Sequence, residues 1–485
     1  MAITISVLTL PTAFEPINAP LWFRTNSTSS GLTDFKYIFR PEYRTEPFSV
    51  TSYTTLGTYK IPPQPSSGDG LFSPHRALKS FLNINNSVII NPFITNWSAT
   101  SATNLIDYRI KYGFEFNPNK FFTDTINVSG NMGLTFSTTH DFAVGDIITI
   151  NKDNKNFNPQ YDGTCSVVSV VNTVSIKTDK TFSTTLLAGE RGYVTDLFRI
   201  SGTTSAYYTW NGTRQYDERT KDFTTYLIGT QSGVYGKFLT NCYNTSSSTP
   251  KPIQSTDYET ISLCLTVPGN SYYLHVNTYD TAGTLLGNYQ TFMTSNTYRR
   301  VEIPAGPMNL SGFVTFTNVA SYEIYVKNSN SATKATGLIS ESRYYKIDTQ
   351  CSNYDKQRLV FLNRAGGFDY FNFTLDTKRT VSISRTEYEK ILNWNYTIGD
   401  RGKTILAQKA EVKMTMNSNW ITENDAIWLE ELLTAPDVYI LTTNNTKVPI
   451  IITDNTYEVK TALRNQMFNL VLNYKFANDI NLQNE

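Results

Sequence analysis

Three histidines are the residues of this 485-residue chain best suited to act as bases or metal ligands. His75, His140 and His275 fall in three different predicted elements, spread over the first two-thirds of the sequence. A catalytic triad or a multi-histidine metal site needs its members gathered with suitable partners. His75 begins a predicted helix and His140 lies in a Thr-rich turn, so we interpret both as cap or surface residues. The histidines therefore predict no catalytic residue and no metal site.

Paired carboxylates are the other chemistry to consider, because glycosidases use two Asp or Glu residues. Asp355, Asp369 and Asp376 flank a glycine pair, Gly366-Gly367, and Glu430-Glu431 lies on a predicted helix. We interpret Asp369 as stabilising the glycine turn through local bonds from its side chain to the backbone. The two glutamates are expected on the water-facing side of the helix. On this reading the chain is not an enzyme.

Ligand-binding motifs are equally scarce. Gly366-Gly367 is not followed by Lys-Ser/Thr, so it is no phosphate loop, and the chain has no DxDxDG calcium loop. The sequence thus predicts no cofactor. Trp97 and Trp210 lie in strands that mix aromatic and polar residues, where an indole ring could stack on a sugar. Packing in a core or an interface is the alternative interpretation for both.

The composition indicates a β-rich protein with several domains. A chain of 485 residues exceeds what one core usually supports, and 40% of its residues are hydrophobic. Only 17% are charged, against about 25% in typical soluble proteins, and Thr, Ser, Asn and Tyr fill the difference. These residues favour strands and turns over long solvated helices. Many tyrosines with few charges also favour surfaces that contact other subunits.

Charge and cysteine content exclude further classes. The net charge is +1, from 42 basic and 41 acidic residues without a basic run, so no specific nucleic-acid binding is expected. Cys165, Cys242, Cys264 and Cys351 form no CxxC motif and are predicted to be reduced and buried, with a Cys242–Cys264 bridge as the alternative. No apolar run approaches the roughly 20 residues of a membrane helix. We expect synthesis in the cytoplasm without a signal peptide and no membrane span.

Strand and turn spacing predicts a mainly β, multidomain fold. Residues 1–125 and 200–235 are predicted to form an N-terminal β-sandwich. It includes a helix with Ser73 as its N-cap and Pro74 at its first helical position, which ends near Asn83. Residues 126–199 contain five short strands that predict an inserted small β-barrel. A hairpin with an Asn-Gly turn at 206–216 returns to the sandwich. Residues 236–345, including a strand at 313–317, form a second predicted β-sandwich.

The last predicted domain, 346–485, is α+β. It opens with RLVFLNRAGGFDYFNF (358–373), two β-prone runs joined by Gly366-Gly367, which predicts a hairpin. Thr422 and Asp425 have the spacing of a capping box and predict a helix. Its apolar side is expected to consist of Ala426, Ile427, Leu429, Leu432 and Leu433.

Two regions carry a family resemblance. The first is PINAPLWF (16–23), FKY (35–37) and GLFSPHRAL (70–78); the second is FLNRAGGFDYFNF (361–373), SNWITE (418–423), LEELL (429–433) and VPIII (448–452). In these regions the chain resembles virion structural proteins of tailed bacteriophages, especially tail-hub, ring and collar components of crAss-like phages of Bacteroidota.

The resemblance implies a subunit of a symmetric homo-oligomeric ring in the virion tail or neck. Such a subunit would dock neighbouring tail, collar or fibre proteins and hold the tail geometry while DNA passes through. The resemblance brings no catalytic residues. A virion adhesin that binds a receptor or carbohydrate is the alternative function, since exposed Trp and Tyr could form its binding platform.

Overall fold

The computed structural model describes most of the chain. The described residues are 3–46, 48, 52–83, 104–152, 162–183, 185–186, 191–215, 218, 221–229, 235–293, 298–349, 354–442, 446–454 and 467–478. Trp97, Cys351 and residues 88–94, for which the sequence predicts a strand, lie outside them. The predicted fold class is confirmed, because the described residues form several β-sheets and few helical turns. Contacts divide the chain into two compact units, residues 1–83 with 105–210 and residues 84–104 with 211–485. The four predicted domain boundaries stay predictions.

The first unit contains fifteen described strands and one short helix. They are β1 (Ser6–Thr9), β2 (Phe14–Pro16), β3 (Phe23–Asn26), β4 (Lys36–Thr45), β5 (Thr54–Thr55), β6 (Tyr59–Ile61), β7 (Gly70–Phe72), α1 (His75–Lys79), β8 (Leu105–Phe116), β9 (Lys120–Val128), β10 (Asn131–Phe136), β11 (Ile147–Lys152), β12 (Gly163–Asn172), β13 (Ser175–Thr181), β14 (Gly192–Thr203) and β15 (Tyr207–Trp210). A three-stranded sheet has the order β1-β3-β7. The larger sheet joins β4, β8, β15 and β2 to the barrel strands through β14.

Six strands close into a small barrel, one more than the five short strands predicted. The order runs β9-β10-β13-β12-β11-β14, and β14 pairs with β9 to complete the circle. Alternate residues such as Leu134, Ile148 and Val194 are buried, because successive side chains of a strand point to opposite faces. β9 begins at Lys120 and so crosses the predicted boundary at residue 126. β14 continues past the barrel to pair with β8.

Two local predictions in this unit are wrong. The N-cap of α1 is Pro74 rather than Ser73, because the Ser73 hydroxyl bonds His75 Nδ1 at 2.9 Å, and the helix ends at Lys79 rather than near Asn83. The predicted Asn-Gly hairpin is absent, since no strand follows β15 over residues 211–215. β2, from the start of the chain, pairs in parallel with β15 and takes the place that the second hairpin strand would need.

The second unit contains a β-sandwich and an α+β region. Its elements are a 3-10 helix (Phe223–Tyr226), β16 (Leu227–Ile228), β17 (Lys251–Ile253), β18 (Thr260–Leu265), β19 (Tyr272–Tyr279), β20 (Leu285–Met293), β21 (Arg300–Pro304), α2 (Pro307–Leu310), β22 (Ser321–Lys327), β23 (Arg343–Ile347), β24 (Gln357–Leu362), β25 (Phe368–Phe373), β26 (Thr377–Glu389), β27 (Lys403–Thr422), α3 (Glu423–Thr434), β28 (Val438–Leu441), β29 (Lys447–Ile452) and β30 (Met467–Phe476). The sandwich packs β16-β18-β21 against β17-β23-β22-β19-β20 around one apolar core.

The α+β region is a seven-stranded antiparallel sheet, β25-β24-β28-β29-β30-β27-β26, with α3 sharing its core. The predicted capping box is confirmed, since Thr422 Oγ1 accepts from Asp425 N and Asp425 Oδ2 accepts from Thr422 N. Ile427 was wrongly placed on the apolar side: it is exposed, and Trp428 is buried instead. The predicted strand at 313–317 is also wrong, because the N–H groups of Phe313 and Val314 bond back to Leu310 at the end of α2.

Candidate assembly surface

The glycine turn at the centre of the predicted hairpin is a junction between the two parts of the second unit. β24 and β25 pair as predicted, with Leu362 opposite Phe368. Asn363 accepts from Gly367 N at 3.0 Å and donates to the Leu239 carbonyl at 3.0 Å. Buried Arg300 of the sandwich donates to the Gly366 carbonyl at 2.6 Å. The turn is therefore held by tertiary bonds as well as by its own chemistry.

The two glycines have different reasons to be there. Gly366 has φ +89°, a conformation that residues with a Cβ rarely adopt. Gly367 has no positive φ, but a Cβ on it would lie 2.4 Å from the Leu239 carbonyl oxygen and 2.9 Å from Ser262 Oγ. Close approach of another backbone segment thus explains Gly367, whereas the sequence suggested turn conformation alone.

The interpretation of Asp369 as a turn residue is wrong. Its side chain is buried and accepts a bond of 2.8 Å from Trp428 Nε1 on α3. Burial raises the pKa of this carboxyl, which is only partly offset by Lys251 and by hydrogen bonds. Asp369 therefore ties β25 to α3 across the core.

Glu431 also differs from its prediction, whereas Glu430 is exposed as expected. Glu431 is buried on α3. Its carboxylate accepts a hydrogen bond of 2.8 Å from Asn241 Nδ2 and another of 2.9 Å from the backbone N–H of Arg364. Burial, followed by the charge of Asp369, raises the pKa of this carboxyl. The helix pattern could not show this, because the donors come from segments far away in the sequence.

Arg358 at the start of the hairpin is the hub of a buried ionic network. It donates to Asp257 at 3.1 Å, to Glu259 at 3.0 Å and to Asn372 at 2.7 Å. Burial acts to raise the pKa of Asp257, but Arg358, Lys356 and their hydrogen bonds outweigh it and hold that pKa below its ordinary value. The network joins the sandwich loop before β18 to the β24–β25 hairpin.

The other candidate residues for chemistry lie apart and serve local structure. His75 begins α1; His140 Nδ1 accepts from Phe142 N at 3.2 Å; His275 is buried in β19 and stacks on Tyr325 at 5.4 Å. Asp355 is exposed, and the Asp376 carboxylate accepts a hydrogen bond of 2.7 Å from Asn417 Nδ2. Across the described residues, no group of three or more His, Cys, Asp or Glu side chains could hold a metal ion.

The cysteines and tryptophans were partly predicted. Cys165, Cys242 and Cys264 are free and buried, so Cys242 and Cys264 are not bridged. Burial raises the pKa of the Cys165 and Cys242 thiols to about 12. Trp210 is buried and stacks on Phe14 at 4.1 Å between ring centroids, which fits its interpretation as a core residue.

A cavity of about 360 Å³ lies beside α3 and contains a tryptophan that the sequence did not single out. Trp420 is 66% exposed, and Lys251, Asn372, Asn419 and Trp428 are among the other lining residues. The Lys251 ammonium pairs with Glu259 at 2.7 Å and lies 5.3 Å from the Trp428 ring. An exposed indole beside amide side chains is a surface on which a sugar ring could stack.

The feature that stands out in the C-terminal region is a long hairpin, which we call the arm (residues 381–412). β26 pairs only with β27 in the described part of the chain, and β30 pairs with β27 only from Lys413 onward. Nine residues of β26 therefore extend past the sheet, a distance of about 30 Å at the usual rise per residue. The arm is a two-stranded ribbon that projects from the α+β region.

Exposure is continuous along β26 and the turn that follows it. Every residue from 378 to 400 is exposed, and at the end of the ribbon Trp394 is 93% exposed while Ile391 and Ile398 are completely so. Asp400 closes the turn that presents them, because its carboxylate accepts a hydrogen bond of 2.6 Å from Thr397 N. At the base of this turn, Lys390 N donates a hydrogen bond of 2.7 Å to the Gly402 carbonyl. The tip is thus a hydrogen-bonded turn that presents large apolar side chains to solvent.

The two faces of the ribbon differ in chemistry. Val381 pairs with Val412 and Ile383 with Ala410, so these four side chains share one face. Ser382 opposite Glu411 and Ser384 opposite Lys409 occupy the other. Ala410 and Val412 near the base are buried, whereas Val381 and Ile383 are exposed. An apolar patch therefore covers one face of the arm near its base, and Arg385 opposite Gln408 separates it from the apolar tip.

From the sequence alone we predict two strands here, at 380–385 and 407–416, but not the arm. Each strand pattern is ordinary, and the missing information is that no other described strand pairs with β26 or with the part of β27 before Lys413. The available signal was the segment ILNWNYTI (391–398), which has five large apolar or aromatic residues between two strands, where polar turn residues usually stand.

Comparisons with known proteins leave the family open. No family model and no curated protein sequence matches the chain. Among solved structures, it is similar to dimeric latent PorU from Porphyromonas gingivalis at 10% identity and TM-score 0.16, over 72% of this chain and 34% of that one. A glycosyl hydrolase family 2 member from Bacteroides cellulosilyticus gives 10% identity and TM-score 0.13, over 68% and 37%. The chain spans about a third of the length of these structures, and at such TM-scores neither bears on its function.

The helices among the described residues are too short or too polar for a membrane span. This agrees with the prediction from hydropathy.

Proposed function

We propose that this protein is a structural subunit of a phage tail that assembles into a symmetric homo-oligomeric ring and docks neighbouring tail, collar or fibre proteins. The observation that carries the proposal is the arm, a hydrogen-bonded ribbon of about 30 Å with an apolar tip in solvent. The tail and virion part of the proposal rests on the sequence resemblance.

The stability of the arm favours a packing partner. A single two-stranded hairpin is at best marginally stable in water, and three or more strands or a packing partner are normally needed. Burying one large apolar side chain stabilises by about 1.5–3 kcal/mol, and the tip alone exposes Ile391, Trp394 and Ile398. Tryptophan is also among the residues most often found as an energetic anchor of interfaces. The arm is therefore suited to bury its tip against another subunit.

Assembly of this kind needs no chemistry at the site. The buried carboxylates Asp369 and Glu431 are held by donors from the protein itself, and neither lines the cavity beside α3. Their positions fit a role in holding α3 and the hairpin together.

The proposal is tested by the mass of the particle in solution for the full chain and a tip variant, Trp394→Ser with Ile398→Ser. The variant should lose the oligomer and keep the melting temperature of the subunit, because both side chains contact solvent in the isolated chain. A matched control, Val144→Ser with Tyr235→Ser, removes two exposed apolar side chains elsewhere and should keep the oligomer. A full chain that stays monomeric, or a tip variant that still assembles, would refute the proposal.

A second candidate function is glycan binding at the cavity that contains Trp420. The observation that favours it is the exposed indole beside Asn372 and Asn419. Calorimetric titration with host surface glycans should then give heat for the full chain and none for Trp420→Ala. Trp394→Ala serves as the control that removes an exposed indole elsewhere. Equal responses of both variants would reject the cavity as a glycan site.

A further inference from the structure

The outermost strand of the larger sandwich sheet is an open edge. β20 pairs with β19 and with no other strand among the described residues. A free strand edge presents unpaired N–H and C=O groups that can template pairing with another chain. β20 is nine residues long, enough for a ladder of about 30 Å.

β20 lacks the devices that usually protect such an edge. Its sequence, LLGNYQTFM, contains no charged residue and no proline, and a register shift occurs only near its first residues. Leu285, Leu286 and Phe292 are exposed. Natural proteins generally protect an edge strand with charged residues, with a bulge that bends it, or with an element that covers it. Because β20 has no charged residue and no bulge along most of its length, we expect it to be covered in the assembled protein.

The same chain carries a second open edge. β26 has β27 on one side and, in the described part of the chain, nothing on the other. Along its 13 residues only Thr377 is not exposed. The arm holds this edge away from the sheet, where another subunit can reach it.

We propose that the two edges pair with each other between copies: β26 of one subunit adds as a strand to β20 of the next. Strand addition is a common recognition mode in which main-chain bonds supply affinity and alternate side chains supply specificity. β20 carries no charge, so it repels neither the cations Lys378, Arg379 and Arg385 nor the two glutamates of β26. This inference rests on the proposed function and names the surface that receives the arm.

The geometry of this contact favours a ring. β20 and β26 are different surfaces, so the interface is heterologous and each subunit has one donor edge and one acceptor edge. Heterologous interfaces close into rings when the rotation between subunits permits, and otherwise continue as filaments. Pairing of β20 with β20 would give a two-fold dimer with the arm unused.

Cysteine cross-linking between two differently tagged full-length chains tests the pairing. One chain carries Gln290→Cys on β20; the other carries a single cysteine at 380, 382, 384 or 386 on β26, because the register is to be found. Cys351→Ser is included in both, and the three described cysteines are buried. Mild oxidation of the mixed assembly should give a dimer that contains both tags at one or two of the β26 positions.

The possible outcomes separate the inference from the proposed function. Rings without a mixed-tag dimer at any of the four positions would overturn the β20–β26 pairing and leave ring assembly intact. A dimer formed by the Gln290→Cys chain alone would overturn it in favour of β20–β20 pairing. A monomer in every sample would refute the proposed function itself.

A charge on the edge gives an independent test. Leu286→Lys adds a cation to β20 and should raise the protein concentration needed for half-assembly at least tenfold. Val170→Lys makes the same kind of change at an exposed apolar residue of β12 and should leave that concentration unchanged. Equal effects of the two variants would overturn the proposed pairing.

Discussion

At the scale of single residues, the sequence identified the important hairpin but assigned wrong roles to Gly367 and Asp369 within it and to Glu431 on α3. Gly366-Gly367 correctly predicted a turn, because a glycine pair between two β-prone runs favours a turn through its own backbone conformation, without distant partners. The partners of Asp369 and Glu431 are Trp428, Asn241 and the Arg364 backbone, and only the fold brings these groups together. Residues whose role depends on long-range partners could not be assigned from the sequence.

The different reasons for the two glycines can be measured. Gly366→Ala should lower the free energy of unfolding by about 1–2 kcal/mol, since it places a Cβ in a left-handed conformation. Gly367→Ala should cost more, about 3 kcal/mol, because its Cβ would meet the Leu239 carbonyl at 2.4 Å and force the backbone to shift. Urea unfolding of both variants checks the order. Equal or reversed costs would show that close approach at Gly367 is not limiting.

Asp369 predicts a pH dependence of stability. Burial raises its pKa in the folded protein, so the unfolded chain releases this proton near the ordinary value of 3.8 while the folded protein still retains it. The group therefore makes folding less favourable as pH rises from about 4 through the raised pKa. Asp369→Asn keeps an oxygen acceptor for Trp428 and cannot ionise. Its stability relative to the parent protein should increase from pH 4 to pH 7, as measured by urea unfolding; a constant difference would contradict this assignment.

At the scale of elements, α3 shows how much a local signal can predict. Thr422 and Asp425 gave the start of the helix correctly because a capping box depends on neighbouring residues alone. The face of the same helix was predicted less well, since Ile427 is exposed and Glu431 buried. The arm could not be predicted at all, because an ordinary strand pattern does not show that no further strand will pair with it.

The capping box supplies a prediction for α3. Thr422→Ala removes the hydroxyl that accepts from Asp425 N and should lower the free energy of unfolding by about 1 kcal/mol. Thr422→Ser keeps the acceptor, so its free energy of unfolding should remain within a few tenths of a kcal/mol of that of the parent protein. Thermal and urea unfolding of the pair check this. Similar losses in both variants would mean that the methyl group, rather than the cap, is responsible.

At the scale of the whole molecule, composition alone predicted the fold class. Abundant Thr, Tyr, Ser and Asn with few charges led to a mainly β chain, and the described residues form one. Strand order was beyond the sequence: β2 next to β15, and the closure of β14 onto β9 and β11, join segments far apart in the chain. The low charge content also fits the proposal of extensive subunit contacts, with the arm and β20 as their structural basis.

Particle mass and electron microscopy of a variant with a shortened arm test the central claim most directly. Residues 381–412 are replaced by an Asn-Gly turn, which leaves β27 paired with β30 from Lys413 onward. We predict closed rings of one subunit number for the full chain, and a monomer that still unfolds cooperatively in urea for the shortened one. Rings that persist without the arm, or a full chain that never assembles, would contradict the account.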